Sequence, residues 1–186
     1  MVSVSEHFNT SLRGVLSEWH LSPLQFAESV SAARRAVLEQ QFDLIIINSP
    51  LPDDPGIRFA IDESGTKPSV VLLAVRAELY ETTFEKVSGH GVYLLSKPSS
   101  RGVVSNAMDW MVTTRERLKK METKSASLEE KMKEIRTVNR AKWILIEQLK
   151  MTEPDAHRYI EKQAMDRCIS KGELAEEVIR IYSGSG

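Results

Sequence analysis

The chain has 186 residues, of which 41% are hydrophobic and 27% are charged, and its formal net charge at pH 7 is -1. These totals predict a folded, water-soluble protein with room for one ordinary domain and a smaller second one. A single cysteine, Cys168, excludes an internal disulfide, and no run of about 18 apolar residues predicts a membrane span. We therefore expect a cytoplasmic protein with no membrane partner.

The first hundred or so residues alternate short apolar runs with helical patterns, as in a parallel sheet covered by helices. Five such runs predict strands, at Val2–Val4, Leu24–Phe26, Leu44–Ile47, Val70–Leu73 and Val92–Leu95. The pattern predicts an α/β domain at residues 1–112 with a flavodoxin-like, doubly wound parallel five-stranded sheet. Its ligand crevice is expected at the C-terminal ends of the strands.

The segments around the strand ends resemble the receiver domain of bacterial response regulators. The matching residues are Asp43 to Asn48, Leu51-Pro52, Gly56 and Ser96-Lys97-Pro98. In that family an aspartate ending the third strand accepts a phosphoryl group, and two acids after the first strand help to hold Mg²⁺. Here Asn48 has the acceptor's place, while Ser5 and Glu6 replace the acid pair and Lys97 is retained.

A neutral amide cannot form an acyl phosphate, so we expect a degenerate phosphoacceptor site made of Asn48, Lys97, Ser5 and Glu6, with no bound metal. This pseudo-receiver is expected to act as an interaction or dimerisation platform, controlled independently of phosphorylation. A protein that regulates it is a candidate partner. Asp53 and Asp54, which stand beside prolines, are expected to be solvated turn residues.

No proline or glycine lies between Gly102 and Pro154, which predicts one helix from about Val103 to Lys150. A heptad pattern within it predicts a coiled-coil linker at residues 113–135. Its seam would join two copies in a parallel homodimer through Leu118, Met121, Leu128, Met132 and Ile135. The alternative is a helix packed inside a single globule.

Two helix-start signals follow, a Thr cap before a proline at Thr152 and capping-box spacing at Ser170 and Glu173. With the end of the long helix they predict an all-α three-helix bundle at residues 136–186. The bundle resembles the ANTAR domain, the RNA-binding output module of bacterial antitermination regulators. The matching segments are Ala141 to Ile146, Thr152-Glu153 with Ala156, Tyr159 to Asp166, and Leu174 to Ile179.

The resemblance implies a dimer that binds paired hairpin loops of a nascent transcript and so excludes the terminator. Such binding needs cations for phosphates and groups that stack on or read unpaired bases. The RNA-binding candidates are Arg140, Lys142, Arg158, Tyr159, Lys162, Gln163, Arg167 and Lys171. The alternative for the cations is that they are ion-paired surface residues. Tyr159 could instead belong to the core, and Gln163 could cap a turn. Met165 is expected in the core.

Two other functional classes stay open. A DNA-binding response regulator would place the last helix in the major groove, but Glu173, Glu176 and Glu177 make that helix acidic. A dimerising adaptor would bind no nucleic acid. An enzyme is not expected, because no catalytic set, phosphate-binding loop or metal-ligand spacing is recognisable, and no cofactor or catalytic residue is predicted.

Overall fold

The computed structural model describes residues 1–19, 21, 23–66 and 68–183. The chain forms two compact units, Met1–Lys120 (unit 1) and Met121–Gly186 (unit 2). The division lies within the predicted coiled coil, so the borders predicted at residues 112 and 135 stay predictions. Among the described helices, none is long and apolar enough to cross a membrane.

Unit 1 contains a parallel sheet in the order β1-β2-β3, formed by Leu44–Asn48, Val70–Arg76 and Tyr93–Lys97. Its helices are α1 (Glu6–Glu18), α2 (Val30–Glu39), α3 (Ile57–Thr66), α4 (Tyr80–Val87) and the first part of α5 (Arg101–Leu149). Unit 2 contains the rest of α5 with α6 (Glu153–Asp166) and α7 (Lys171–Ser183). The single long helix that the sequence predicts is confirmed as α5.

The predicted five-stranded, flavodoxin-like sheet is not confirmed, because the described residues form three strands. Of the first two predicted strands, only isolated parallel bridges are present, from Val2 to Ile47 and from Val2 to Ala27. The first run is too short to extend further, since Ser5 already caps α1. The second bridge is at Ala27, just after the predicted strand at 24–26 rather than within it.

The sheet is buried on both faces, which explains the continuous apolar runs in its sequence. One core contains Ile45, Ile47 and Leu73 together with Phe59 of α3. The opposite core contains residues of β1, β2, α1 and α5, among them Ile46, Leu72, Leu16 and Met108. These two cores fix the carboxyl ends of β1 and β3, where Asn48 and Lys97 lie.

The loop after β1 is ordered by its two acids. Asp53 accepts hydrogen bonds from Val30 N at 2.9 Å, Ser31 N at 2.9 Å and Ser31 Oγ at 2.8 Å, so it caps α2. Asp54 accepts from Gly56 N at 2.6 Å. The backbone N–H groups of Ser31 and Val30 lower the pKa of Asp53 to about 2. Both acids are exposed residues of the loop, as the sequence predicts, and their hydrogen bonds give them structural roles as well.

Unit 2 has its own core at the meeting of its three helices, as the sequence predicts. The buried residues are Ala141, Leu145, Ala156, Ile160, Ala164, Leu174, Ala175 and Val178. Thr152 accepts from Asp155 N at the start of α6. Ser170 and Glu173 form the predicted capping box, with Glu173 N donating to Ser170 Oγ at 3.1 Å and Ser170 N donating to Glu173 Oε2 at 2.8 Å.

Removing the Asp53 carboxylate tests its capping role. Asp53→Ala is expected to lower the Tm at pH 7, because α2 loses its acceptor for the first N–H groups. The pKa of Asp53 is lowered from 3.8 to about 2, so its stabilisation is complete above pH 3.8 and is lost as the pH falls through about 2. Thermal unfolding followed by circular dichroism across this range measures both effects.

Glu28→Ala is the matched control, since Glu28 is an exposed acid just before the same helix. It should leave the Tm within error of the wild type. A Tm difference between the wild type and Asp53→Ala that stays constant from about pH 4 down to pH 2 would contradict the role of the carboxylate.

Candidate functional site

The receiver-like site of unit 1 lies at the carboxyl ends of β1 and β3. Lys97 Nζ donates hydrogen bonds to Asn48 Oδ1 and, at 2.6 Å, to the carbonyl oxygen of Ser49. Asn48 Nδ2 donates to Ser3 Oγ at 3.1 Å. Asn48 is buried and both ends of its amide are engaged. Two of the four residues predicted for the degenerate acceptor site are thus joined by a direct hydrogen bond, and a third, Ser5, lines the same cleft.

The side chain that accepts the Asn48 hydrogen bond belongs to Ser3, and not to Ser5 or Glu6 as expected from the sequence. Ser3 was missed by the sequence analysis. Ser5 caps α1 by accepting from Phe8 N at 3.3 Å, and Glu6 is the first residue of that helix. The predicted strand ends at Val4, so the next two residues, Ser5 and Glu6, are the ones predicted for the site. Because only Val2 forms a bridge, the site residue comes earlier, at Ser3. The alternation of Val2, Ser3 and Val4 was the available signal, because a polar residue there faces the strand-end site.

The charge on Lys97 has no carboxylate partner among the hydrogen bonds of this site. Burial, and secondly repulsion from Arg76, lowers the pKa of Lys97. Within the described residues, no group of three or more His, Cys, Asp or Glu side chains could hold a metal ion. The chemistry that these groups can perform is therefore the recognition of an anion or acceptor by a partly buried ammonium.

In unit 2, three of the cations predicted to contact RNA form ion pairs with acids of the same unit. Lys142 Nζ lies 2.7 Å from Glu153 Oε1, and only 17% of the Lys142 side chain is exposed. Arg167 pairs with Glu177 at 2.6 Å, and Lys171 pairs with Glu161. Hydrogen bonds from Lys142 and from Lys171 lower the pKa of Glu153 and of Glu161 respectively. The charge of each of these three cations is therefore paired with an acid, namely Glu153, Glu177 or Glu161.

The other three predicted cations, Arg140, Arg158 and Lys162, are exposed, and within the described chain they have no hydrogen bond or ion pair. Arg158 and Lys162 are four residues apart and share a face of α6. This face is opposite the buried residues Ala156, Ile160 and Ala164. We call the residues Arg158, Tyr159, Lys162 and Met165 the α6 outer face.

The remaining members of the α6 outer face are partly apolar. Met165 is 74% exposed, which corrects its expected place in the core. Tyr159 is partly exposed at the flank, so its ring is available on one side, and Gln163 is half-buried nearer the core. Trp143 on α5 is also largely exposed, and it was not among the predicted RNA-binding residues. The signal in the sequence was a tryptophan three residues after Arg140, since this spacing places the ring beside the cation on one face of the helix.

The predicted coiled-coil residues divide into two groups. Leu118 is partly buried and packs against the core of unit 1. Met121, Leu128, Met132 and Ile135 are 52–59% exposed. We call these four residues the exposed seam of α5. Four large apolar side chains at heptad spacing on one exposed helix are an unusual surface for a monomer.

Comparison with known proteins identifies the class. The ANTAR domain family matches residues 126–179, which include most of unit 2. The chain is 32% identical over 140 residues to the transcriptional regulatory protein PdtaR of two Mycobacterium tuberculosis strains, CDC 1551 / Oshkosh and ATCC 25618 / H37Rv. The alignment covers 74% of this chain and 67% of the relative. The chain therefore belongs to the ANTAR-domain response regulators, a family of RNA-binding antitermination regulators.

Lys142 and Lys162 differ in burial and in ion pairing, and this difference gives a stability test. Lys142→Ala removes a mostly buried alkyl stem and the ion pair with Glu153, so it should lower the Tm. Lys162→Ala removes an exposed side chain that has no partner in the described chain, so the Tm should not change. Calorimetry of both variants makes the comparison, and equal Tm values would contradict a structural role for Lys142.

Proposed function

We propose that this protein binds hairpin loops of a nascent transcript through unit 2, acts as a dimer, and prevents terminator formation independently of phosphorylation. The observation that supports this most directly is the α6 outer face. Two exposed cations, Arg158 and Lys162, lie there beside a partly exposed aromatic ring within the ANTAR match.

Phosphate binding favours cations that do not first have to break an ion pair. Arg158 and Lys162 meet this condition, and their spacing of one helical turn places both charges on one side of α6. Lys142, Arg167 and Lys171 would each have to leave an acid. We therefore assign the primary phosphate contacts to Arg158 and Lys162, and the structural role to the three ion-paired cations.

Unpaired loop bases also need surfaces for stacking. The Tyr159 ring and the Met165 thioether chain lie next to the two cations on the α6 outer face, so a base and its phosphate can be bound together. Trp143 and Arg140 form a second pair of this kind on α5. We assign Arg140 and Trp143 to a second contact with the same RNA.

The alternative of a DNA-binding helix has less support. Glu173 and Glu176 are exposed on α7, and they would repel the phosphates that flank a major groove. The three predicted RNA-binding cations whose side chains have no partner in the described chain, Arg140, Arg158 and Lys162, lie on α5 and α6 instead. If the protein were an adaptor that binds no nucleic acid, the exposed cations of the α6 outer face would have no assigned function.

Dimerisation is proposed from the exposed seam of α5. Its four residues occupy a and d positions of one heptad register, which is the pattern that two parallel helices bury between them. A partner copy would remove these side chains from water. The single globule considered as an alternative would bury the seam internally, whereas the four side chains are more than half exposed.

Independence from phosphorylation is proposed from the chemistry of Asn48. Its amide is not a nucleophile for phosphoryl transfer, and Lys97 and Ser3 already bind its oxygen and nitrogen. A control other than phosphorylation must then act on unit 1.

Binding to an RNA with two terminator-adjacent hairpins tests the proposed interface. Arg158→Ala and Lys162→Ala should each weaken binding and reduce the slope of log K against log salt by about 1, because each removes one phosphate contact. Fluorescence anisotropy over a salt series, with duplex DNA of the same sequence as competitor, measures both quantities.

Arg180→Ala is the matched control, since Arg180 is an exposed cation of the same unit on α7. An equal loss of affinity in this variant would show non-specific attraction and contradict the assigned face. Equal affinity for RNA and DNA would favour the DNA-binding alternative.

Sedimentation equilibrium tests the dimer. Leu128→Glu with Ile135→Glu places like charges at facing d positions of a parallel pair, so the wild type should sediment as a dimer and the double variant as a monomer. Lys133→Glu, an exposed change at an outward heptad position, is the control and should stay dimeric. A monomeric wild type at high micromolar concentration would contradict the proposed seam.

A further inference from the structure

A cleft of about 790 Å³ opens at the carboxyl edge of the sheet in unit 1. Residues of α1, of the ends of β1 and β3 and of the start of α5 line it. This volume is within the range of about 300–1,000 Å³ that small-molecule sites occupy. The cleft includes the Asn48 and Lys97 side chains, so it is the crevice that in a phosphorylated receiver would serve the acceptor.

The charged groups that line the cleft have one sign. The cations of the lining are Lys97 and Arg101, His7 adds an imidazole ring, and the described lining residues include no carboxylate. Most of the remaining surface is apolar and includes Phe8 and Leu12. A cleft with cations at an apolar surface complements a ligand that has an anionic group on an apolar body.

Lys97 is placed to bind that anionic group. An ammonium has three donor hydrogens, and Lys97 uses two of them for Asn48 Oδ1 and Ser49 O. Its Nζ lies 6.0 Å from the centroid of the Phe8 ring, so charge and apolar surface are adjacent. Burial lowers the pKa of Lys97, which shows that its charge lacks full solvation where it lies. An incoming anion would compensate for that loss.

We propose that this cleft binds a small organic carboxylate with an aromatic or short aliphatic body. The carboxylate accepts a hydrogen bond from Lys97 Nζ, and the body packs against Phe8, Leu12 and Val15. This site lies entirely within unit 1, and the proposal does not depend on RNA binding by unit 2. Such a ligand would supply a chemical signal to a receiver whose acceptor position is an amide.

Isothermal titration of the full-length protein tests the site with phenylacetate and hexanoate as probes. Phenylacetamide and hexanamide are the matched neutral probes, since each keeps the body and replaces the carboxylate. At least one acid should bind saturably, with a Kd at least about tenfold lower than that of its amide, because only the acid makes a charge-assisted hydrogen bond.

Two glycines give a matched pair of variants. Gly14 lines the cleft on α1, and a Cβ added there meets no atom within 4 Å, so Gly14→Leu can begin a side chain at the cleft wall without a clash at its Cβ. Gly65 on α3 also has open space around an added Cβ but does not line the cleft. Leucine favours a helix more than glycine does, so neither variant should lose stability. Gly14→Leu should abolish acid binding, and Gly65→Leu should preserve it.

Lys97→Met tests the charge itself and should reduce the preference for acid over amide to near unity. Saturable binding of an acid that requires both Lys97 and an open cleft would support the proposal. It would be overturned if neither acid bound up to about 10 mM, if acid and amide bound equally to the wild type, or if Gly14→Leu retained wild-type binding.

Discussion

The unbroken course of α5 is the constraint on which the rest of this protein depends. Its 49 residues contain no proline and only one glycine, Gly102, in the first turn, so nothing in its backbone ends it between the two units. Met108 and Met111 complete a core of unit 1, whereas Ala141 and Leu145 complete the core of unit 2. Between those segments Leu118 still packs against the core of unit 1 and Val138 against the core of unit 2. The four apolar residues between them, Met121, Leu128, Met132 and Ile135, join neither core and remain exposed. The exposed seam of α5 is a direct consequence, and burial by a second copy is the simplest way to remove it from water.

Charge pairing in unit 2 explains why a list of cations is a poor guide to an interface. Lys142, Arg167 and Lys171 each bind an acid from another helix or turn, at separations of 10 or 11 residues. The pairs of Arg167 and Lys171 are exposed and add little stability. They nevertheless remove positive charge from the surface available to RNA. The positive charge that remains available to RNA depends on the positions of the acids as much as on the positions of the cations. The α6 outer face is the part of α6 where the acids have left two cations unpaired.

The features that could be predicted from the sequence were those fixed by local rules. The absence of helix breakers predicted α5, and the spacing of Ser170 and Glu173 predicted the start of α7. The reduction of the two N-terminal strands to isolated bridges could not be predicted in this way, because Val2 pairs with Ile47 and Ala27, which are distant in the sequence. Ser3 was missed for the same reason. The pair of Lys142 and Glu153 joins two helices, so no spacing within one helix could reveal it.

The receiver resemblance implies that Asn48 stands in the place of an acceptor aspartate, and such a replacement would alter more than the chemistry of phosphorylation. An asparagine accepts a hydrogen bond from Lys97 as an aspartate would, so the geometry of the strand ends can persist. It does not neutralise the lysine, however, because an amide has no net charge. The hydrogen-bond acceptors of Lys97 are the Asn48 amide and the Ser49 carbonyl, both neutral, and the described residues that line the cleft include no carboxylate. The substitution that removes the phosphoryl acceptor is thus the same one that leaves unit 1 with a partly buried cation facing a cleft. Under the ligand-binding proposal, unit 1 would respond to an anion that arrives as a bound ligand instead of a covalent group.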